Sequence, residues 1–315
     1  MTRAFIFPGQ GSQTVGMGKA LAEAFPQAKA VFDEVDEALS QKLSTLIWEG
    51  PAEELTLTAN TQPALMAVSL AAIRVLEAEA GLDLKRDAAY VAGHSLGEYS
   101  ALASAGSLSI SDTARLLRIR GNAMQNAVPV GQGAMAALLG LEYDAALEVA
   151  REAAEGEVCD AANDNGGAQV VVSGHKSAVE RAVAIAQTKG AKRAVMLAVS
   201  APFHCALMQP AADAMREALD RVTVNAPVVP VVANVEAAPI TDPSAIRDAL
   251  VRQVTGTVRW RESVAYMASQ GVDSFYEVGS GKVLTGLVKR IAAGASSVAI
   301  GTPEDIAAFK TSLNG

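Results

Sequence analysis

Aromatic side chains are scarce in this chain, only 4% of its 315 residues, which argues against the stacking platforms that hold nucleic acids. Histidine occurs three times and cysteine twice, as Cys159 and Cys205. Neither cysteine has the spacing of a metal site or a disulfide framework, so no metal is expected and a reducing, cytoplasmic setting is. Cys205 follows a histidine, but with no independent base or motif beside it a small core residue is the expectation. Positive charge is also in deficit. With 26 Lys and Arg against 34 Asp and Glu, the formal charge of −8 argues against nucleic acid or an anionic membrane as a general partner. The longest charge-free apolar run, Thr56 to Ile73, contains Asn60, Gln62 and Pro63 and reads as a loop entering a buried helix, not a membrane span. The opening Met-Thr-Arg-Ala-Phe-Ile-Phe-Pro leads straight into a predicted strand, and no targeting signal is expected there.

What the chain does have is apolar residues, 50% of the total and rich in alanine, which suits helices packed closely over a sheet. Its length allows one large α/β domain or two smaller ones. Continuous apolar runs at Ala4 to Phe7, Ala88 to Ala92, Val228 to Ala233 and Ser274 to Val278, each followed by Gly or Asn and helical periodicity, predict a parallel sheet covered on both faces. Helices are predicted at Gln62 to Ala80, Leu96 to Ala105 and Ala211 to Asp220. Residues 132–199 read differently. Strand Gly133 to Leu141, helix Tyr143 to Ala154, strands Val158 to Ala162 and Gln169 to Ser173, helix Ser177 to Lys189 and strand Arg193 to Val199 follow the split βαβ order of a ferredoxin-like unit. Val128-Pro-Val-Gly131 and Ser200-Ala-Pro202 supply breakers on either side. The expected division is a main domain of residues 1–130 and 200–315 and an inserted unit of residues 131–199, with a binding cleft between them.

Residues 91 to 102 carry the strongest chemical signal: a strand end, Gly93-His-Ser-Leu-Gly97, and then a helical run. Ser95 is the candidate nucleophile, because Gly93 and Gly97 leave room for a sharp strand-to-helix turn that lifts the hydroxyl clear of the sheet. The N–H of Leu96 would point to where an oxyanion forms. A serine needs a base. His94 is expected to project away from Ser95, and His175, in Ser-Gly-His-Lys, reads as part of a solvated polar turn. His204, in Pro202-Phe-His-Cys205 between a strand and a helix of the main domain, can reach across the sheet; packing near a helix N-terminus is its other reading. No acid stands out as a third member, since each Asp and Glu falls on an apparently exposed helical face.

The first strand runs into Phe7-Pro-Gly-Gln-Gly-Ser-Gln13, which delivers Gln10 to the carboxyl end of the sheet. It lacks the Lys-Ser/Thr ending of a phosphate loop and the spacing of a dinucleotide fingerprint, leaving a plain tight turn or a second oxyanion donor. Arg120 lies on the apolar face of its helix with Leu116, Leu117 and Met124, while Arg115, Arg118 and Asn122 face elsewhere. A guanidinium so placed must be paired, either with a protein carboxylate or with a carboxylate of the substrate. Lys192-Arg193 and Lys289-Arg290 read as solvated surface or as docking sites for an acidic partner.

Together these motifs, with Arg120-Gly followed by Met124-Gln125, Val251-Arg-Gln253 and Glu277-Val-Gly-Ser-Gly-Lys-Val-Leu284, resemble the malonyl-CoA:acyl-carrier-protein transacylases and the acyltransferase domains of polyketide synthases over nearly the whole chain. The resemblance implies an α/β-hydrolase-like parallel-sheet domain with an inserted ferredoxin-like (βαββαβ) subdomain. It implies Ser95 as nucleophile, His204 as base, the N–H groups of Gln10 and Leu96 as oxyanion hole, and Arg120 as holder of the free malonyl carboxylate. Gln253 would orient the histidine through its main-chain carbonyl, so its side chain is expected to be dispensable. Asn163 and Asn234 would line the cleft, and bulky Phe203 resembles malonyl-selective members. The implied substrates are malonyl-CoA and the phosphopantetheine thiol of holo acyl carrier protein, with no bound cofactor. The readings that compete with malonyl transfer for fatty acid synthesis are a serine thioesterase or esterase, a catalytically silent acyl-CoA-binding subunit, and the same transfer serving malonate decarboxylation or a polyketide pathway.

Overall fold

The computed structural model describes residues 2–199 and 201–314; Ser200, where the expected boundary falls, and residues 1 and 315 lie outside them. In chain order the strands are β1 Arg3–Phe7, β2 Tyr90–Gly93, β3 Gly133–Leu139, β4 Cys159–Asp164, β5 Gln169–His175, β6 Arg193–Met196, β7 Val231–Ala233, β8 Ala238–Ile240, β9 Ser274–Val278 and β10 Ser296–Ile300. They form a six-stranded sheet, β10-β9-β1-β2-β7-β8, and a four-stranded sheet, β4-β5-β3-β6.

The larger sheet is parallel from β10 to β7, and β8 closes one edge antiparallel to β7. Its central strands are buried almost along their whole length because helices cover both faces. Successive side chains therefore enter different cores: Phe5 and Phe7 pack with Leu21, Met66 and Leu102, whereas Ala4 and Ile6 pack with Trp260, Val264 and Phe275. The β7 strand starts at Val231, later than predicted, because Pro230 has no N–H for the ladder and only its carbonyl pairs, with the N–H of Val91. The helix Thr58–Val75 begins before the predicted Gln62 and runs on into a π-helical turn over Leu76–Ala80.

The smaller sheet is antiparallel throughout, in the ferredoxin-like order, with both crossover helices, Tyr143–Ala154 and Lys176–Thr188, on one face. That face is paved with Ala146, Ala150, Ala153, Ala178, Ala182 and Ala186, whose size permits close helix-sheet contact and explains why so few aromatics suffice. The other face, with Met135, Ala137 and Val171, turns towards the large sheet. Residues from β4 are stitched to the segment before helix Trp260–Ser269: Asp164 N–H donates to the Val258 carbonyl and Val258 N–H to that of Ala162, both at 2.9 Å. Arg261 pairs with the buried Asp164 at 2.8 Å. This seam carries β4 past its predicted end at Ala162. Among the described residues no helix is long and apolar enough to cross a membrane.

Candidate active site

The turn after β2 is built by steric necessity. A Cβ on Gly93 would overlap the Gly97 carbonyl, one on Gly97 would overlap the Phe7 carbonyl, and one on Gly9 would stand 2.7 Å from the His94 carbonyl oxygen. Only glycine lets the two loops and the helix Gly97–Ser104 meet there. Ser95 at the apex has φ 54°, in the left-handed region, and His204 has φ 58°. Such backbone costs about 1–3 kcal/mol for a non-glycine residue and persists only when the surroundings fix it.

Those surroundings are visible. Asn234 Oδ1 accepts from the Ser95 N–H at 2.8 Å and its Nδ2 donates to the Gly93 carbonyl at 2.7 Å. Ser95 Oγ lies 2.7 Å from His204 Nε2, and His204 Nδ1 lies 2.8 Å from the Gln253 carbonyl oxygen. A carbonyl only accepts, so Nδ1 carries the proton and Nε2 presents its lone pair to the serine hydroxyl. Burial, helped by the Arg120 charge, pushes His204 down to about 3, so the resting imidazole is neutral. The pair is thus set to move the hydroxyl proton onto Nε2.

Arg120 is almost completely buried, at 1% exposure, and packs over the Tyr99 ring at 5.7 Å. Its Nη1 donates to Gln62 Oε1 at 2.9 Å, and its Nη2 to Gln253 Oε1 at 2.8 Å and Ser95 Oγ at 3.2 Å. None of these acceptors is a carboxylate. The two amides and the Ser95 oxygen take three of its five N–H groups; one on Nη1 and that of Nε are left over, and a ligand carboxylate beside Ser95 can replace the Ser95 oxygen on Nη2.

A cavity of about 270 Å³ opens over this group, lined by Gln10, Leu96, Asn163, Phe203 and His204 among others. Gln10 is exposed, with its side chain on Thr58 Oγ1 at 3.3 Å; Leu96 is the N-cap residue of the helix after the elbow, and among the described residues neither main-chain N–H has a hydrogen-bond acceptor in the protein. Both amides are therefore free to serve an oxyanion. Asn234, expected in the cleft wall, instead lies fully buried beneath the elbow, where it fastens the strained turn. Gln253 was expected to act through its carbonyl alone, yet its side chain is also engaged: besides Arg120, its Nε2 donates to the Ser95 carbonyl and to Glu98 Oε2, each at 2.9 Å. The acids are not all on exposed faces either, since Glu98 and Glu277 are fully buried. Glu277 caps the helix Val283–Ile291 through the N–H groups of Leu284 and Thr285.

The other two histidines differ from expectation in detail. His94 turns away from the Ser95 hydroxyl but still lines the cavity, with Nε2 2.9 Å from Asn165 Oδ1 and its ring against Trp260. His175 ends β5 half-buried, and its Nδ1 accepts the Val158 N–H, so it is not a solvated turn. Asn165 and Gln62 are cavity residues that motif reading missed, and nothing local marks them. Cys205 is buried with its thiol on the Pro202 carbonyl, and burial raises it to about 11.

A glycine-flanked serine on a strand-to-helix elbow, paired with a neutral histidine over a parallel sheet, defines an acyl-transferring site. The chain belongs to the acyl transferase family, whose domain model matches residues 4–304. Among its relatives, the malonyl CoA-acyl carrier protein transacylase of Escherichia coli K12 is 52% identical over 305 residues, covering 97% of each chain. The solved acyl-carrier-protein S-malonyltransferase of Bartonella henselae is 58% identical, superposes with a TM-score of 0.98 and covers all of both chains. A solved malonyl-transacylase in complex with its type II PKS acyl-carrier protein is 43% identical, with a TM-score of 0.95, over 99% of this chain and 100% of that one.

Proposed function

We propose that this enzyme transfers the malonyl group from malonyl-CoA to the phosphopantetheine thiol of holo acyl carrier protein, supplying fatty acid synthesis. One observation carries the specificity: a buried guanidinium that, among the described residues, is hydrogen-bonded to no carboxylate and donates from Nη2 to the nucleophilic oxygen itself. An acyl group that ends in a carboxylate completes it. The relatives' names point to the same substrates.

In the first half-reaction Ser95 Oγ attacks the thioester carbonyl carbon and its proton passes to His204 Nε2. The resulting oxyanion is met by the N–H groups of Gln10 and Leu96. The Gln253 carbonyl stabilises the imidazolium through Nδ1. Collapse breaks the carbon-sulfur bond, and coenzyme A leaves with the proton from His204, while malonyl remains as the Ser95 ester. In the second half-reaction the phosphopantetheine thiol gives its proton to His204 and attacks that ester, and the serine oxygen takes the proton back as it leaves. Phe203 in the cavity wall would restrict branching beside the carbonyl. Residues 131–199 would act as an inserted unit that closes the cleft over the main domain of residues 1–130 and 200–315, and Asn163 on its β4 strand would contact the substrate arm.

Intact-protein mass after mixing with malonyl-CoA tests the reading. A malonyl adduct that holo carrier protein then removes as malonyl-carrier protein is expected; release as free malonate at the same rate with or without carrier would make the enzyme a hydrolase.

A further inference from the structure

One buried carboxyl group has no part in these steps. Glu98 lies on the helix Gly97–Ser104 with no exposed surface. Its Oε2 accepts the Asn234 main-chain N–H at 3.0 Å and the Gln253 Nε2 at 2.9 Å, and its Oε1 has no partner. Among the described residues no cation is hydrogen-bonded to it. Its hydrogen-bonded connection to the Arg120 guanidinium runs through the Gln253 amide, which donates to Glu98 at one end and accepts from Arg120 Nη2 at the other.

Asn234 and Gln253 are also the residues that hold the three reacting or binding side chains. Asn234 ties down the Ser95 N–H; Gln253 orients His204 through its carbonyl and reaches both the Ser95 carbonyl and Arg120 through its side chain. The Glu98 carboxyl is hydrogen-bonded to none of the three side chains and to both of their holders, and its charge also attracts Arg120 through space. A primary amide fits a site in two orientations, with oxygen and nitrogen exchanged. A carboxylate oxygen that only accepts, facing a guanidinium that only donates, permits one of them. Without Glu98, Gln253 Nε2 would retain the Ser95 carbonyl and a 3.4 Å contact with Asn234 Oδ1, and the end of the amide opposite Arg120 would lose one of its two short hydrogen bonds.

We propose that Glu98 is a positioning residue for recognition of the malonyl carboxylate: acting through the Gln253 side chain, it holds the Arg120 fork in line with Ser95. The proposal rests on the malonyl-transfer reading above. It separates selection from reactivity, because only an acyl group ending in a carboxylate uses the fork. Asn234 keeps its own bonds to Ser95 and Gly93, so loading of an acetyl group survives a loosened Gln253.

The test is the rate of Ser95 acylation by malonyl-CoA and by acetyl-CoA in Glu98→Leu, Glu98→Gln and Gln253→Leu, with folding checked by circular dichroism. Glu98→Leu removes the acceptor, and the malonyl-to-acetyl ratio of kcat/KM should fall about tenfold or more, mostly through KM for malonyl-CoA. Glu98→Gln keeps an acceptor oxygen for both donors and should restore the ratio to within about threefold of wild type. Gln253→Leu leaves the main-chain carbonyl for His204 and should reproduce the low ratio, which keeps the proposal testable if Glu98→Leu does not fold. Equal losses for both substrates, or Glu98→Gln as unselective as Glu98→Leu, would overturn it. A wild-type protein that takes up acetyl but no malonyl would sink the malonyl reading itself; normal wild-type malonyl loading with an unchanged ratio in the variants sinks the positioning role alone.

Discussion

The two sheets meet at one cavity but contribute different kinds of residue to it. From the large sheet and its helices come half-buried Ser95 and the buried His204, Arg120, Gln62 and Gln253, polar groups each held by at least one hydrogen bond to another of them. The small sheet offers Met135, Ala137 and Val171 with Asn163 and Asn165 at its margin, and its own core is alanine, valine and leucine with Cys159. Chemistry is thus concentrated where the backbone is most constrained, at the ends of parallel strands, and shape is delegated to a unit attached by a short seam. The division teaches that substitutions on the first side should change which bonds are made, and on the second how long the substrate stays.

The strongest challenge to that division is Ser95→Ala, which should abolish acylation by several orders of magnitude while leaving the fold intact, since one hydroxyl at an elbow is lost. His204→Ala should be comparable. Mass spectrometry of the variants after mixing with malonyl-CoA checks both, and an undiminished adduct on the alanine variant would place the nucleophile elsewhere. Arg120→Ala comes next. Leaving a substrate carboxylate unpaired in a largely closed cavity costs roughly 2–5 kcal/mol, which acetyl does not suffer. Malonyl loading should fall by that amount and acetyl loading stay equal or rise; equal losses would make Arg120 a structural residue.

The protonation state of the base sharpens the same side. With His204 held at about 3, the neutral form dominates far below the range of a free imidazole. The sign follows: the base is lost only as pH falls through that lowered value, so acylation by acetyl-CoA should stay nearly flat from about pH 8 down to about pH 5. An acid limb near the ordinary histidine value would contradict the burial argument. Removing the Arg120 charge, the second cause of the depression, should move the limb upward.

Much of the large-sheet side is legible in sequence because its constraints are local. Gly93, Ser95 and Gly97 lie within one turn, and each glycine is demanded by an atom that neighbouring motifs bring near. What makes Glu98 a buried group is not local, since its two donors come from the residue just after β7 and from the helix Pro243–Thr255, far along the chain. Its sequence context, in a helical run, is indistinguishable from a solvated face. The same holds for the Gln253 side chain, whose four partners lie on the helices Ile110–Asn126 and Gly97–Ser104, at the elbow and just after β7. Strands β8 and β10 escape prediction because they are edges: β8 has three residues and β10 alternates exposed with half-buried positions, so neither offers a buried apolar run.

On the small-sheet side the effects should be smaller. Asn165→Ala removes the partner of His94 and should raise KM for both thioester substrates several-fold with kcat within about twofold. Coenzyme A binding should protect amides of Ala161 to Asn165 from hydrogen exchange; protection confined to the large-sheet side would undo the shared-cleft picture. The least effect is expected at the rim. Lys192, Arg193, Lys289 and Arg290 are exposed, the last two on a helix whose first turns line the cavity. Reversing their charge should raise KM for carrier protein in a salt-dependent manner and leave acylation by malonyl-CoA untouched.

The left-handed backbone at Ser95 also limits which alcohol the enzyme can use. Threonine carries the same hydroxyl, but its second branch at Cβ is poorly tolerated at φ 54°. Its methyl group would also have to fit a site where Asn234, Gln253 and Arg120 already converge on the main chain and oxygen of residue 95. The choice between two chemically equivalent nucleophiles is therefore made by torsion angle, and a change of nucleophile at this position is open only to unbranched side chains.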